Sequence, residues 1–317
     1  SRITLEDKEL SVLLSPGTPA MQAVWILLGK TRYPCTFYQS SLEQGVQQVV
    51  IPFELSAEYM PAAKSLGNSR VSQLMEANVP INAAFDNIIT RNPRMKLLKA
   101  QAQKLAEFDV PVLIYGETGT GKEVIANLVH RLSNRNEGPF IAINCGAIPT
   151  ELMESELFGH KKGSFTGATQ DKQGLIQSAH GGSLFLDEVA ELPLSMQVKL
   201  LRAVQEKRIR PVGCDTEIDV DFRVISASHQ DLEALVQQGK FRQDLFFRIH
   251  VMDLVLPPLR ERGDDIILLA HHFIQKISQE WGIPSKQLTE RSRNFLLGQY
   301  YPGNVRELRN IIERAMT

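Results

Sequence analysis

The segment Gly116-Glu117-Thr118-Gly119-Thr120-Gly121-Lys122-Glu123 has the residue types needed to hold a chain of phosphates. Its glycines let successive backbone N–H groups turn toward one point, and the lysine behind them reaches terminal phosphate oxygens. The apolar run Val112-Leu113-Ile114-Tyr115 precedes the loop, and Val124, Ile125, Leu128 and Val129 mark one side of a helix after it. Strand, loop and helix in that order aim a helix N-terminus at the anion, where its partial positive charge is favourable. In the general pattern a Ser or Thr follows the lysine and meets Mg2+; Glu123 stands there instead. A flexible glycine turn is the alternative, which the flanking strand and helix disfavour.

A second constellation lies at Gly181-Gly182-Ser183-Leu184-Phe185-Leu186-Asp187-Glu188, an apolar strand ending in two acids. Carboxylates at the end of a buried strand are costly unless they meet a cation. Asp187 suits Mg2+, directly or through water, and Glu188 suits a base that polarises an attacking water. Solvated acids at an exposed strand end are the alternative, and the phosphate loop upstream weighs against it. The two constellations together imply ATP and Mg2+ as ligands.

Bringing these groups together requires alternating strands and helices. Strands are expected at Val110–Tyr115, Phe140–Asn144, Ser183–Leu186, Phe222–Ala227 and His250–Leu256, within an α/β domain over residues 87–256. Pro257-Pro258 breaks that pattern. Residues 257–317 read as a helical lid: one helix opens at Asp264-Asp265, a second spans Thr289 to about Tyr300, and a third follows Pro302-Gly303. Residues 1–55 read as a partial α/β segment with a strand at Leu10–Leu14, a helix at Ala20–Leu28 and a strand at Gln48–Phe53. Residues 56–86 read as a linker with a short helix around Asn68–Ala77.

Bulk properties narrow the class. Lys plus Arg total 35 and Asp plus Glu 36, so the chain has no overall basic footprint for nucleic acid. Cys35, Cys145 and Cys214 are scattered without a C-x-x-C pair, which argues against a zinc site or disulfide framework and fits a reducing cytoplasm. No apolar run approaches the roughly 18 residues of a membrane helix. The opening Ser1-Arg2, without an initiator Met, is expected of a piece of a longer chain.

The phosphate loop with Glu after its lysine resembles the AAA+ domain of sigma-54-dependent activators, the bacterial enhancer-binding proteins. The specific signature is Glu156-Leu157-Phe158-Gly159-His160-Lys161-Lys162-Gly163-Ser164-Phe165-Thr166-Gly167-Ala168, where the family has GAFTGA and this chain reads GSFTGA. The resemblance covers about Asn87 to Met316. It implies an AAA+ P-loop ATPase that assembles as a hexamer or heptamer and remodels sigma-54 RNA polymerase holoenzyme. Phe165 and Thr166, between Gly163 and Gly167, are then the sigma-54 contact. An exposed aromatic on a mobile tip can anchor binding; on residue type alone, a Phe tucked into the core is the simpler reading.

Other roles follow from the resemblance one residue at a time. Asn144 matches the switch Asn that pairs with the catalytic Glu; the alternative is a strand-end cap. Ser228, in Arg223-Val224-Ile225-Ser226-Ala227-Ser228-His229, stands at the sensor-I position, where the family has Thr followed by Asn or His. Phe241-Arg242-Gln243-Asp244-Leu245-Phe246-Phe247-Arg248 resembles FREDLYYR, which makes Arg242 and Arg248 arginine fingers for a neighbour's γ-phosphate. Spacing does not itself show this, because residues six apart lie on different faces of a regular helix. Tyr301-Pro302-Gly303-Asn304-Val305-Arg306-Glu307-Leu308 resembles WPGNVREL and makes Arg306 the sensor-II arginine. Arg309, one turn on, reads as structural. Ile88 and Ile89 match the adenine-side segment, with ordinary core as the alternative.

No helix-turn-helix follows the lid, so enhancer DNA is expected to be bound only through a segment outside this chain. Ser15-Pro16-Gly17-Thr18-Pro19 and the helix after it resemble the later half of a CARF-type sensor domain, as in regulators of the RNA-repair operon. That resemblance implies a nucleotide or RNA-derived ligand; a strand-turn-helix with a capping Thr is the alternative. The rival functions are another AAA+ remodeller, which the GSFTGA insertion opposes, and a nucleotide-binding sensor or scaffold without turnover. The neutral charge disfavours a free-standing DNA-binding regulator.

Overall fold

Fully apolar, β-branched-rich runs need cover on both faces, and the strands of the central sheet obtain it. The computed structural model describes residues 88–317, together with the backbone of three strands nearer the N-terminus. Those three are β1 (Leu10–Leu13), β2 (Cys35–Ser41) and β3 (Gly45–Gln48). β1 pairs parallel with β2, and β2 pairs antiparallel with β3. The strand expected at Leu10–Leu14 is present as β1, whereas β2 falls where no strand was expected. Gln48 of the expected Gln48–Phe53 strand ends β3, and the rest of that strand lies outside the described residues. The expected helices at Ala20–Leu28 and Asn68–Ala77 lie outside the described residues.

The second unit, Ala77–Thr317, opens its described part with helix α1 (Pro93–Ala106), then β4 (Val112–Tyr115) and α2 (Lys122–Arg131). β5 (Phe140–Asn144), α3 (Thr150–Phe158), the short ribbon β6 (Gly159–His160) with β7 (Lys172–Gln173), and α4 (Leu175–Ser178) follow. Next come β8 (Ser183–Asp187), α5 (Leu194–Glu206) and the ribbon β9 (Arg208–Ile209) with β10 (Ile218–Asp219). β11 (Arg223–Ser228), α6 (Leu232–Gln237), α7 (Gln243–Ile249) and β12 (Met252–Val255) complete the α/β part. The five strands expected over residues 87–256 are all present, with ends shifted by no more than two residues.

The five-stranded sheet has the order β12-β4-β11-β8-β5 and every pairing is parallel. β4 therefore leads to the far edge, at β5, and the chain walks back through β8 and β11. Such a reversal opens a crevice at the carboxyl ends of the strands, where ligands of open α/β sheets bind. Alternation within the strands feeds two cores. Val112, Ile114, Phe185, Ile225 and Ala227 pack with α1 and α2, while Leu113, Leu184, Leu186 and Val224 pack with α5 and α7.

Arg223 at the start of β11 is buried and donates to the carbonyls of Leu105, Ala106 and Val110. Its charge satisfies the orphaned C-terminal carbonyls of α1, and burial pulls its pKa down to about 10. Gly182 before β8 admits no side chain, since a Cβ there would lie 1.9 Å from the Pro139 carbonyl oxygen.

The lid comprises α8 (Asp265–Trp281), α9 (Glu290–Leu297) and α10 (Asn304–Met316). Gly282, left-handed at φ 64°, ends α8 and donates its N–H to Ser278. Ile266, Ala270, Ile274 and Ile277 form one stripe of α8 and pack on Leu308 and Ile312 of α10. Tyr301 fills the centre, fully buried, and its hydroxyl donates to the Leu296 carbonyl at 2.8 Å. The aromatic expected there is thus part of the lid core.

Candidate functional site

A cleft of about 460 Å³ opens between the carboxyl ends of the strands and the lid. Its floor is the loop from Thr118 to Glu123, continuing into α2. Gly119 and Gly121 adopt left-handed backbone, φ 77° and 102°, which glycine alone reaches without strain. Gly121 is the N-cap of α2 and supplies no side-chain cap, so the first N–H groups of the helix await an external acceptor. Gly116 fixes the start of the loop by donating its N–H to the Ser228 carbonyl at 3.2 Å.

Lys122 is 7% exposed, and its Nζ donates to the carbonyls of Gly116 and Glu117 at 2.8 and 3.2 Å. Burial pulls the ammonium below its ordinary pKa; the carboxylates of Asp187 and Glu188 oppose that pull and Arg306 adds to it. Phosphate oxygens would relieve the desolvation and the repulsion from Arg306 together. Glu123 is exposed and offers no hydroxyl, while Thr120 donates its own to the Glu117 carbonyl at 2.7 Å.

Asp187 ends β8 and Glu188 follows it, both in the wall of the same cleft. Glu188 has φ 54° and ψ 46°, a left-handed conformation that costs a non-glycine residue roughly 1–3 kcal/mol and concentrates at functional sites. Its N–H donates to Asp187 Oδ1 at 3.1 Å. Gly146 lies opposite, where a Cβ would come within 2.6 Å of Glu188 Oε2. Among the described residues no cluster of three or more His, Cys, Asp or Glu could hold a metal unaided. A single strand-end carboxylate beside a phosphate loop still fits Mg2+, which takes one or two carboxylates and completes its shell with phosphate oxygens and water.

The apolar lining of the cleft combines Ile88, Ile89 and Met95 with Leu256, Leu269, His272, Phe273 and Val305. The segment carrying Ile88 and Ile89 is tied at both ends. Lys99 Nζ donates to the Ile88 carbonyl, and the fully buried Asp265 accepts from Thr90 Oγ1 and the N–H groups of Arg91 and Asn92. Leu269, His272 and Phe273 come from the lid helix α8. Helical periodicity makes them a face, but no sequence signal says that this face meets a ligand. Burial lowers the His272 pKa, with Lys276 adding to the effect.

Not every expected site residue lines the cleft. Ser228 is buried with its hydroxyl turned into its own loop, donating to the Gln230 carbonyl and accepting the Gln230 N–H, while its backbone carbonyl accepts the Gly116 N–H of the phosphate loop. A short hydroxyl at a strand end reaches its own turn more readily than a ligand. Asn144 lines the cleft, but its Oδ1 accepts the Ala147 N–H at 3.1 Å, capping the turn that follows β5, and among the described residues it does not bond Glu188. Glu117 faces the lid, not the cleft. Arg306 lines the cleft, and so does Arg309, which also pairs with Glu313 at 2.8 Å. Arg242 and Arg248 do not line the cleft of their own chain. Arg242 is the extended N-cap of α7 and pairs with Asp244 at 2.6 Å, so the argument from faces of a regular helix does not apply to it.

Away from the cleft, the GSFTGA segment forms a closed turn on the β6–β7 ribbon. Gly163 N–H donates to Ala168 at 2.9 Å, and Gly163 and Gly167 have φ 82° and 107°. Asp171 clamps the stem through Lys161 Nζ and the Lys162 N–H. The segment between β9 and β10 braces it, with Lys161 N–H donating to Val212. A Cβ on Gly213 would meet Ser164 Cβ at 2.5 Å. Phe165 is 40% exposed and its ring packs edge-on to His160 at 5.0 Å; Thr166 is exposed beside it. The core placement considered for Phe165 is therefore not adopted. Ser164, where the family has Ala, has a buried hydroxyl without a hydrogen-bond partner among the described residues.

Comparisons with known proteins agree with this geometry. The model of the sigma-54 interaction domain matches residues 88–255, and that of the AAA+ ATPase lid domain matches residues 260–317. The response regulator PilR of Pseudomonas aeruginosa is 54% identical over 74% of this chain and 53% of its own length. The DNA-binding transcriptional regulator NtrC of Klebsiella pneumoniae is 44% identical over 82% of this chain and 55% of its own. The chain thus spans about half the length of these curated relatives. The crystal structure of NtrX from Brucella abortus superposes with a TM-score of 0.69 at 30% identity, over 97% of this chain and 64% of that one. NtrX has also been solved in complex with ATP, TM-score 0.67 at 29% identity, over 97% and 63% of the two chains. With its parallel sheet, phosphate loop, helical lid and braced GSFTGA turn, the chain belongs to the sigma-54 interaction domain family of AAA+ ATPases.

Proposed function

We propose that this chain is the motor of a transcriptional activator, hydrolysing ATP in a ring of identical subunits to remodel sigma-54 RNA polymerase holoenzyme and drive promoter opening. The observation that supports it most is the half-exposed Phe165 on a braced ribbon, in the same domain as a cleft uniting Lys122, Asp187 and Glu188. The backbone N–H groups from Thr118 to Glu123 bind the phosphates, Lys122 neutralises the terminal ones, and Ile88 and Ile89 cover the adenine. Asp187 would hold Mg2+, which when bound neutralises charge on the phosphate chain. Glu188 orients water and takes up its proton. Asn144 forms its pair with Glu188 only when nucleotide is bound, exchanging the Ala147 N–H for the carboxylate. Arg306 reaches the phosphates from the lid, and Arg242 and Arg248 complete a neighbour's site. Phe165 and Thr166, with Gly163 and Gly167 as pivots, contact sigma-54.

The domain division we propose is a CARF-like sensor segment at 1–55, a linker at 56–86, the ATPase core at 87–256 and the lid at 257–317, in a cytoplasmic protein. No helix among the described residues is long and apolar enough to cross a membrane. A nucleotide or RNA-derived ligand is proposed for the sensor segment, and enhancer DNA is met through a helix-turn-helix beyond this chain. The test of the motor is phosphate release from ATP. Turnover is expected with Mg2+, should vanish with EDTA, and should fall to background in Lys122→Ala. Tight nucleotide binding with no phosphate release would identify a sensor or scaffold.

A further inference from the structure

Glu117 lies inside the phosphate loop, yet its carboxylate is held by the lid. Arg260 grips it with two bonds, Nη1 to Oε2 at 2.8 Å and Nη2 to Oε1 at 2.6 Å, and Asn304 Nδ2 donates to Oε2 at 3.1 Å. A forked arginine–carboxylate pair fixes direction as well as distance. The Arg260 guanidinium also lies over the Tyr300 ring, 5.0 Å from its centroid, which limits its freedom further. The hydrogen bonds from Arg260 and Asn304 hold the Glu117 carboxyl at a pKa of about 2, so it stays ionised at neutral pH.

Asn304 joins three parts of the site through one side chain. It is fully buried in left-handed backbone, φ 50°, at the first residue of α10. Its Nδ2 also reaches the Thr118 carbonyl, and its Oδ1 accepts the Leu259 N–H at 2.7 Å. The next residue, Val305, donates its N–H to the Gly119 carbonyl at 2.9 Å. A Cβ at Gly119 would stand 2.2 Å from the Gly303 carbonyl oxygen, so this loop glycine is needed for the approach of the lid as well as for its own backbone. Arg306 follows immediately, and its side chain enters the cleft.

We propose that Glu117 is a lid-positioning residue: bound to Arg260 and Asn304, it holds the start of α10 so that Arg306 faces the phosphate end of the cleft. The proposal rests on the reading of Arg306 as a phosphate contact. It assigns Glu117 a role through another residue, in place of contact with the nucleotide.

The test is a double-mutant cycle on ATP turnover by the full chain, comparing the parent with Glu117→Gln, Arg306→Ala and the double variant. Glu117→Gln should lower kcat/KM about tenfold, and the double variant should fall within about twofold of Arg306→Ala alone, as residues acting through one another are non-additive. Arg260→Gln, which leaves the phosphate loop untouched, should reproduce Glu117→Gln, with unchanged melting temperatures showing that the variants fold. Losses that multiply in the double variant would overturn the proposal, as would a harmless Arg260→Gln beside a damaging Glu117→Gln. A silent Arg306→Ala would overturn the reading of Arg306 and the proposal with it, whereas multiplying losses leave that reading intact.

Discussion

Glu188→Gln is expected to lower ATP turnover by about 10²–10⁴-fold, the usual contribution of a positioned general base, while ATP stays bound. Gln keeps the length and shape of Glu, so the packing against Gly146 and the left-handed backbone at this position are retained. What is lost is the ability to accept the proton of the attacking water. On the proposed reading Lys122, Arg306 and the N-terminus of α2, all in the cleft, remain to hold the phosphates. Filter binding of labelled ATP alongside phosphate release separates the two effects. Turnover within a few-fold of the parent would remove Glu188 from its role, and loss of binding would make it a structural support of the cleft.

The second large effect belongs to Arg242 and Arg248. Substituting either with Ala should cost roughly 10³-fold or more in turnover, the scale of arginine fingers in other NTPases. Neither lines the cleft of its own chain, so the loss should be repairable from outside. Subunits carrying Arg242→Ala keep an intact phosphate loop, and subunits carrying Lys122→Ala keep intact arginines. Each preparation alone should be inactive, and mixing the two should restore a fraction of the turnover at shared boundaries. Arg242 must exchange its partner Asp244 for phosphate to act this way; Asp244→Asn would release it beforehand. Mixtures no more active than their components would place the arginines outside the reaction.

The parts of this site that could be read from the sequence are those in which local chemistry and local structure coincide. The loop from Gly116 to Lys122 needs glycines, a lysine, a preceding strand and a following helix, and all are contiguous in the chain. Asp187 and Glu188 were legible because they interrupt an apolar run where a buried strand would not tolerate acids. The turn around Phe165 was legible as a motif, and its exposure follows from bracing by Val212 and Gly213, residues some fifty positions away that no local pattern connects to it.

Where the reading departed from the structure, a non-local partner or a short-range competitor decided the outcome. Glu117 looks like one more phosphate-loop residue until Arg260 and Asn304 arrive from the lid. Ser228 stands where a sensor belongs, yet its hydroxyl is taken by Gln230, two residues on. Asn144 is engaged by Ala147 in the same way. The cleft-lining face of α8, with Leu269, His272 and Phe273, carries an amphipathic pattern indistinguishable from ordinary core until the lid is placed over the cleft. Strand β2 contains Cys35, Thr36, Gln39, Ser40 and Ser41, a polar composition that hides it from a search for apolar runs.

The central claim couples nucleotide state to sigma-54 through Phe165, and complex formation tests it most directly. Purified sigma-54 would be mixed with the parent chain or with Phe165→Ala on a native gel, without nucleotide, with ADP, and with ADP plus aluminium fluoride as a mimic of the hydrolysis transition state. The account predicts a complex with the parent only, and only with the mimic, while Phe165→Ala hydrolyses ATP as fast as the parent. A complex that forms equally well with Phe165→Ala, or a parent chain that turns over ATP yet never holds sigma-54, would contradict it.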